Sequence, residues 1–249
     1  VIECDLRGTF PFPDDYFDGV YHSHVLEHFT LSDGRRFIGE CRRVLKPGGV
    51  LRVAVPDLAG ICRLYLETLA KLEAGDRQWR GRHHWMQLEL YDQMVRTVAG
   101  GEMAGYLHRP DLADKDFIIA RIGNIAREIF ESEADGTSRP SSTLVWRRWV
   151  WRVKSAPKRI RERLIALLLS RRELEALELG LFRLSGEVHQ WMYDEYSLGS
   201  LLENEGFIDL RRCAATESRI ENWATYGLDV GPDGFEHAPS SLYMEGRKP

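Results

Sequence analysis

Residues 22–28 read His-Ser-His-Val-Leu-Glu-His and form the densest group in the chain that could do chemistry. An imidazole of ordinary pKa, about 6.5, suits proton removal from a hydroxyl, so His28 and His24 are candidate general bases. A structural role for His28 in a loop-to-helix turn is the other reading. Each of these histidines taken alone could equally be a hydrogen-bonded surface or core side chain. A second set is His83-His84-Trp85, Tyr91, Asp92, Arg96 and His189-Gln190-Trp191. Such aromatic and hydrogen-bonding groups suit a polar ring such as a sugar, and they would also suit helix packing in a lid. Tyr91, Arg96 and His189 are the candidate acceptor contacts. Asp14, Asp15 and Asp18 could pass for an oxygen-rich cation site. Their loop and strand-start positions fit capping better, and no metal is expected.

The elements that must position these groups are legible from periodicity. Residues 10–15 (FPFPDD) are an extended loop, because two prolines and paired aspartates forbid a helix. Residues 17–22 read as a strand. A helix is expected over 32–46, since Phe37, Ile38, Cys41, Val44 and Leu45 share one face. Ser32 or Asp33 would cap it and Pro47-Gly48-Gly49 would stop it. Residues 50–55 (VLRVAV) form an almost unbroken apolar strand, as expected when both faces are covered. Strand, helix and strand with short turns make a right-handed parallel βαβ unit. Beyond Pro56, Leu58, Ile61, Tyr65, Leu69 and Leu72 give a helical stripe ending at Gly75. Further helices are expected near 85–99 and 111–131, and a polar linker at 132–143. Residues 144–180 read as a basic amphipathic stretch. Asp194 caps a helix carrying Leu198, Leu201 and Leu202, stopped by Gly206. Two strands, 207–213 and 241–247, close the chain as a hairpin beside 50–55. The division is an α/β core (1–58 and 191–249) interrupted by a mostly helical insertion (59–190).

Composition narrows the function. The chain has 249 residues, 43% hydrophobic and 29% charged, with net charge -4. That is ordinary globular composition, and a whole-protein nucleic-acid binder would usually be basic. No apolar run is long enough to span a membrane. Cys4, Cys41, Cys62 and Cys213 form no CxxC pair, so buried free thiols in a reducing cytoplasm are expected. No signal peptide is visible, and the chain begins at Val1 inside what reads as a strand, as a piece of a longer chain would.

Three segments carry a more specific signal. Residues 5–28 read DLRGTFPFPDDYFDGVYHSHVLEH, residues 40–57 read ECRRVLKPGGVLRVAVPD, and 191–213 with 241–247 supply a last helix and hairpin. In this order they resemble the class I S-adenosylmethionine-dependent methyltransferases, in the branch with LPFPD, VLEH and RVLKPGG. The words LYDQMVR (90–96), GGEM (100–103) and WMYDEYSLGSLL (191–202) resemble more weakly an uncharacterised bacterial subgroup associated with surface saccharides. The resemblance implies a Rossmann-like doubly wound sheet, ordered 3-2-1-4-5-7-6, of which this chain supplies strands three to seven. The family's first glycine-rich motif has no counterpart here, nor has its second strand. The chain as given is therefore expected to bind the cofactor weakly or not at all.

The same resemblance implies that the Asp5 carboxylate accepts the adenine amino group beside the Leu6 N–H, and that His22 and Ser23 flank the methionine part of S-adenosylmethionine. Asp5 could instead simply form a turn before Arg7-Gly8. The function expected is methyl transfer to an oxygen or nitrogen of a small polar or saccharide acceptor. Positioning would do most of the work. The rivals are a non-catalytic binding module on the same fold, and a membrane-surface adaptor. The adaptor would use residues 144–172, rich in Arg and Lys with one acid, Glu162, after Trp146, Trp149 and Trp151. The expected location is cytoplasmic, with that stretch suited to the inner membrane surface.

Overall fold

A computed structural model describes residues 2–134 and 168–249. Its sheet runs β1 (Phe17–Ser23), β2 (Leu45–Pro56), β4 (Ser241–Arg247), β3 (Ile208–Cys213). β1 and β2 are parallel, from Gly19 opposite Val50 to Ser23 opposite Ala54. β4 is antiparallel to both β2 and β3. This is the order 4-5-7-6 of the expected sheet. Residues 2–4 lie outside any strand, and Ile2 is exposed, so the expected opening strand is not formed. Its short apolar run has no neighbour to supply ladder hydrogen bonds.

The crossover helix α1 (Leu31–Val44) buries Phe37, Ile38, Cys41 and Val44. Burial of each large apolar side chain contributes about 1.5–3 kcal/mol, and this stripe faces the sheet core with Leu51, Val53 and Val55. The cap is Thr30, whose hydroxyl accepts the Asp33 N–H, rather than Ser32 or Asp33. The helix ends at Val44, before Pro47-Gly48-Gly49. Phe17 pairs with Leu45 and Gly19 with Val50, so residues 46–49 bulge from the start of β2, and Gly48 takes φ +78° there.

Beyond β2, α2 (Leu58–Glu73) is capped by the Asp57 carboxylate and followed by Gly75 at φ +91°. The helix expected over 85–99 breaks into α3 (Arg80–Gln87), a π-helical turn (Leu88–Asp92) and a short turn ending at Val95. The helix expected over 111–131 is two, α5 (Lys115–Ile122) and α6 (Asn124–Ala134), parted by Gly123 at φ +61°, with α4 (Gly101–Leu107) ahead of them. A side chain at Gly123 would collide with the His237 carbonyl. These helices build a second core around Ile61, Trp85, Met86 and Ile118. The start of the expected linker, 132–134, is the end of α6, and the rest of it and most of the basic stretch lie outside the described residues. Its end forms α7 (Arg171–Arg183) with a capping box from Ser170 and Glu173. In α8 (Glu195–Asn204), Asp194 caps as expected, and Gly206 at φ +83° follows the helix end.

The aspartates of the first loop do not converge. Asp14 meets Arg43, Asp15 meets Lys248 and Asp18 meets Lys46, so ion pairs replace the capping expected of them. Cys41 is buried, while Cys4, Cys62 and Cys213 are only half-buried, and all four are free thiols. No helix among the described residues is long and apolar enough to cross a membrane.

Candidate active site

The chain leaves β1 at Ser23 and turns sharply. His24 takes φ +52°, a left-handed conformation that few non-glycine residues adopt. Its N–H is tied to the Ala54 carbonyl of β2 at 2.9 Å. A short 3-10 turn, Leu26–His28, follows and drives Glu27 inward until it is fully buried. Its backbone carbonyl then accepts the N–H groups of Gln190 (2.7 Å) and Trp191 (3.1 Å). The His189 N–H donates to the Gln93 carbonyl at 2.9 Å. These bonds pin the segment before α8 across the end of β1 and bring His189 against His28, with ring centroids 4.7 Å apart and near perpendicular.

The result is a cluster of three histidines around one buried carboxylate. His24 Nδ1 lies 3.2 Å from Glu27 Oε1 and its Nε2 lies 2.9 Å from the Ser241 hydroxyl. Burial alone would push Glu27 up, but His24 and His189 more than offset it and hold its carboxyl below the usual range. Burial pushes His189 down to about 4, against the pull of Glu27. Burial first, and then the Glu27 charge, push the Tyr193 phenol up to about 12.

Beside His24 a cavity of about 350 Å³ opens at the carboxyl ends of β1 and β2, the end at which α/β sheets bind ligands. His24, Glu89, Gln93 and Arg96 are polar groups on its wall, and much of the rest is apolar, including Ile61 and Ile129. Arg96 is held by the Glu187 carbonyl.

The structure places His24, His28, His189 and Arg96, drawn from the two separate sets of the sequence analysis, near one another. Tyr91 is exposed and does not line the cavity. The His22 ring is buried edge-on against Phe37 beneath α1, with both nitrogens unpartnered, and His22 does not line the cavity. Ser23 is half-buried at the strand end. Asp5 closes a turn, accepting the Arg7 N–H through Oδ1 while its own carbonyl takes the Gly8 N–H, and Leu6 beside it is exposed. His83 and Trp85 are structural, bound to Thr68 and Glu89. Glu27 was not among the candidate residues. Its only sequence signal was its place between His24 and His28.

The words LYDQ and GGEM also have a physical cause. The buried Asp92 carboxylate accepts the Glu102 and Met103 N–H groups and so caps α4. Gly100 and Gly101 have φ +79° and +54°, and a Cβ on Gly101 would collide with that carboxylate. Gly101→Val is expected to cost about 1–3 kcal/mol in urea unfolding. Gly105→Ala, with open space around it inside the same helix, should be neutral or stabilising. Equal effects of the two would remove the steric explanation.

The methyltransferase domain family matches residues 1–53. This span covers β1, α1 and most of β2, and it ends one residue before the Ala54 carbonyl that anchors His24. Two curated relatives agree with this methyltransferase segment. A protein of Mycolicibacterium smegmatis named "Probable S-adenosylmethionine-dependent methyltransferase" is 47% identical over 47 residues, 19% of this chain and 18% of that one. A ubiquinone/menaquinone biosynthesis C-methyltransferase of Bordetella avium is 50% identical over 50 residues, 20% of this chain and 18% of that one. The chain thus spans less than a fifth of the length of either relative. No solved structure matches it at a significant level. The mixed α/β sheet and its strand order fit the Rossmann-like fold of a methyltransferase.

Proposed function

We propose that the protein transfers a methyl group from S-adenosylmethionine to an oxygen or nitrogen of a small acceptor held in the cavity beside His24. One observation carries this reading: the segment matching the methyltransferase domain family is the βαβ unit whose carboxyl ends border that cavity. S-adenosylmethionine supplies the methyl group when bound. Asp5 fits its adenine edge, since Oδ2 has no partner among the described residues and the exposed Leu6 follows it. The fit stops there: among the described residues no glycine-rich turn follows a strand to wrap the methionine end.

On the acceptor side, Arg96 and Gln93 would orient the substrate, and His24 or His28 would take the proton of the attacking group. Residues 59–190 would act as the lid that excludes water. A saccharide suits the polar groups. The apolar part of the wall favours a second reading, an acceptor with an apolar body and one polar end.

The test is methyl transfer by the protein expressed from its natural reading frame, assayed against sugars and against amphiphilic hydroxy or amino compounds. Asp5→Ala should weaken cofactor binding by about 10- to 150-fold, the loss of one charge-assisted hydrogen bond. Arg96→Ala should raise the acceptor KM and leave cofactor affinity unchanged. Loss of cofactor affinity in Arg96→Ala, with the fold intact by circular dichroism, would reverse the assignment of the two halves. Cofactor binding without turnover on any acceptor would favour a non-catalytic module, and sedimentation of the protein with anionic liposomes would favour the surface adaptor.

A further inference from the structure

We propose that Glu27, His28 and His189 form a binding site for a divalent first-row transition metal ion. One ligand atom from each lies within 4.8 Å of the others, and no other such group of three was found among the described residues. The elements that carry them are fixed independently. Glu27 and His28 sit in the 3-10 turn after β1, and His189 is pinned by its N–H bond to Gln93 and by the two N–H groups that cap the Glu27 carbonyl.

A second observation points to a ligand. The Glu27 side chain is fully buried, yet neither carboxylate oxygen has a well-formed hydrogen bond among the described residues. His28 Nδ1 is likewise buried and unpartnered. A buried carboxylate short of hydrogen bonds is costly, so such groups are usually paired or coordinate a metal. His24, 3.2 Å from Oε1 but exposed, supplies charge only when protonated. A bound dication would satisfy the carboxylate directly.

The donor set selects the metal class. Two imidazoles and one carboxylate make up the His₂Glu set of catalytic zinc sites and also the facial triad of non-haem iron. Magnesium and calcium prefer oxygen ligands. Ligands about 2.0–2.2 Å from a common zinc ion at tetrahedral angles lie roughly 3.3–3.6 Å apart. Separations of up to 4.8 Å must therefore close by about 1.2–1.5 Å on binding, which rotation of the partly exposed His28 ring and a shift of its neighbours would have to supply. Three protein ligands leave a coordination position open, as catalytic sites do. That position could take an acceptor oxygen, a role that rests on the methyl-transfer reading and leaves His24, not the ligated His28, as the base. The metal site itself does not.

The test uses the untagged chain, stripped with a chelator and titrated with Co²⁺ by visible absorption and with Zn²⁺ by chelator competition. The expected result is one equivalent of each ion, with no thiolate charge-transfer band and no binding of Mg²⁺ at the same concentrations. Glu27→Gln and His28→Ala should each weaken binding more than the roughly 10–100-fold lost when a supporting residue is removed. His84→Ala, outside the cluster, should bind as the parent does. Because His28 is only partly buried, His28→Ala should fold even if Glu27→Gln does not. Absence of binding, equal binding by His28→Ala and the parent, or a thiolate band that disappears in Cys62→Ser would each overturn the site. Metal binding without methyl transfer would uphold the site while counting against the proposed activity.

Discussion

Arg52→Met is expected to destabilise the protein by about 3–5 kcal/mol, the range for removing one partner of a buried ion pair. Arg52 projects from the middle of β2 and is fully buried. Its guanidinium pairs with Asp229 at 2.8 Å and Glu245 at 3.1 Å, both buried. It also donates to the Ala214 and Glu217 carbonyls and lies 4.6 Å over the Trp223 ring. Methionine fills similar space but leaves the carboxylates unevenly served. Glu245 keeps Arg211, Ser218 and the Arg219 N–H, whereas Asp229 keeps only Tyr21 among these side chains. The stranded Asp229 is the origin of the cost. For a chain of this size the shift in Tm is roughly 6–20 °C. Arg52→Lys, which retains the charge and loses the fork, should fall between. A change below about 0.5 kcal/mol for Arg52→Met in urea unfolding would show that the network contributes little to stability.

The second large effect concerns acid. His22 is buried, with both ring nitrogens unpartnered, and burial pushes its pKa from 6.5 to about 4. Between these values the unfolded chain takes up a proton that the folded chain refuses. Its contribution to stability is therefore complete above pH 6.5 and is lost as pH falls toward 4, by roughly 3 kcal/mol in all. Other groups titrate in the same window, so the difference from a variant isolates it. His22→Leu keeps an apolar packing partner for Phe37 and cannot titrate. Its unfolding free energy should fall less steeply than the parent's between pH 6.5 and 4. Parallel curves would show that His22 is protonated in the folded protein or reaches water.

The sequence by itself determined the elements of the core and their order. Alternation, helical stripes and the stops at Gly75 and Gly206 are local properties, and the structure repeats them in β1, α1, β2, α2 and α8. The resemblance of residues 5–57 supplied the sheet order, and the pairing of β2 with β4 followed. Boundaries failed where a local signal had two readings. Pro47-Gly48-Gly49 reads as a helix stop, but the bulge at the start of β2 uses it. At Gly123 the glycine is the local sign, and the expectation of one helix over 111–131 passes over it, while the His237 carbonyl that leaves no room for a Cβ there comes from far along the chain.

Only the tertiary structure decided which chemical groups meet. Periodicity assigns a residue to a face and does not name what lies opposite. His22 and His24 have the same type and lie on the same side of the strand pattern, yet one is sealed under Phe37 and the other borders the cavity, because the backbone turns left-handed at His24. His189 joins Glu27 and His28 through backbone hydrogen bonds between distant segments, which side-chain spacing cannot encode. Arg52 read as one charged residue in an apolar strand. The carboxylates that make its burial tolerable come from 229 and 245, so they became visible as partners only once β4 and the preceding loop closed over β2.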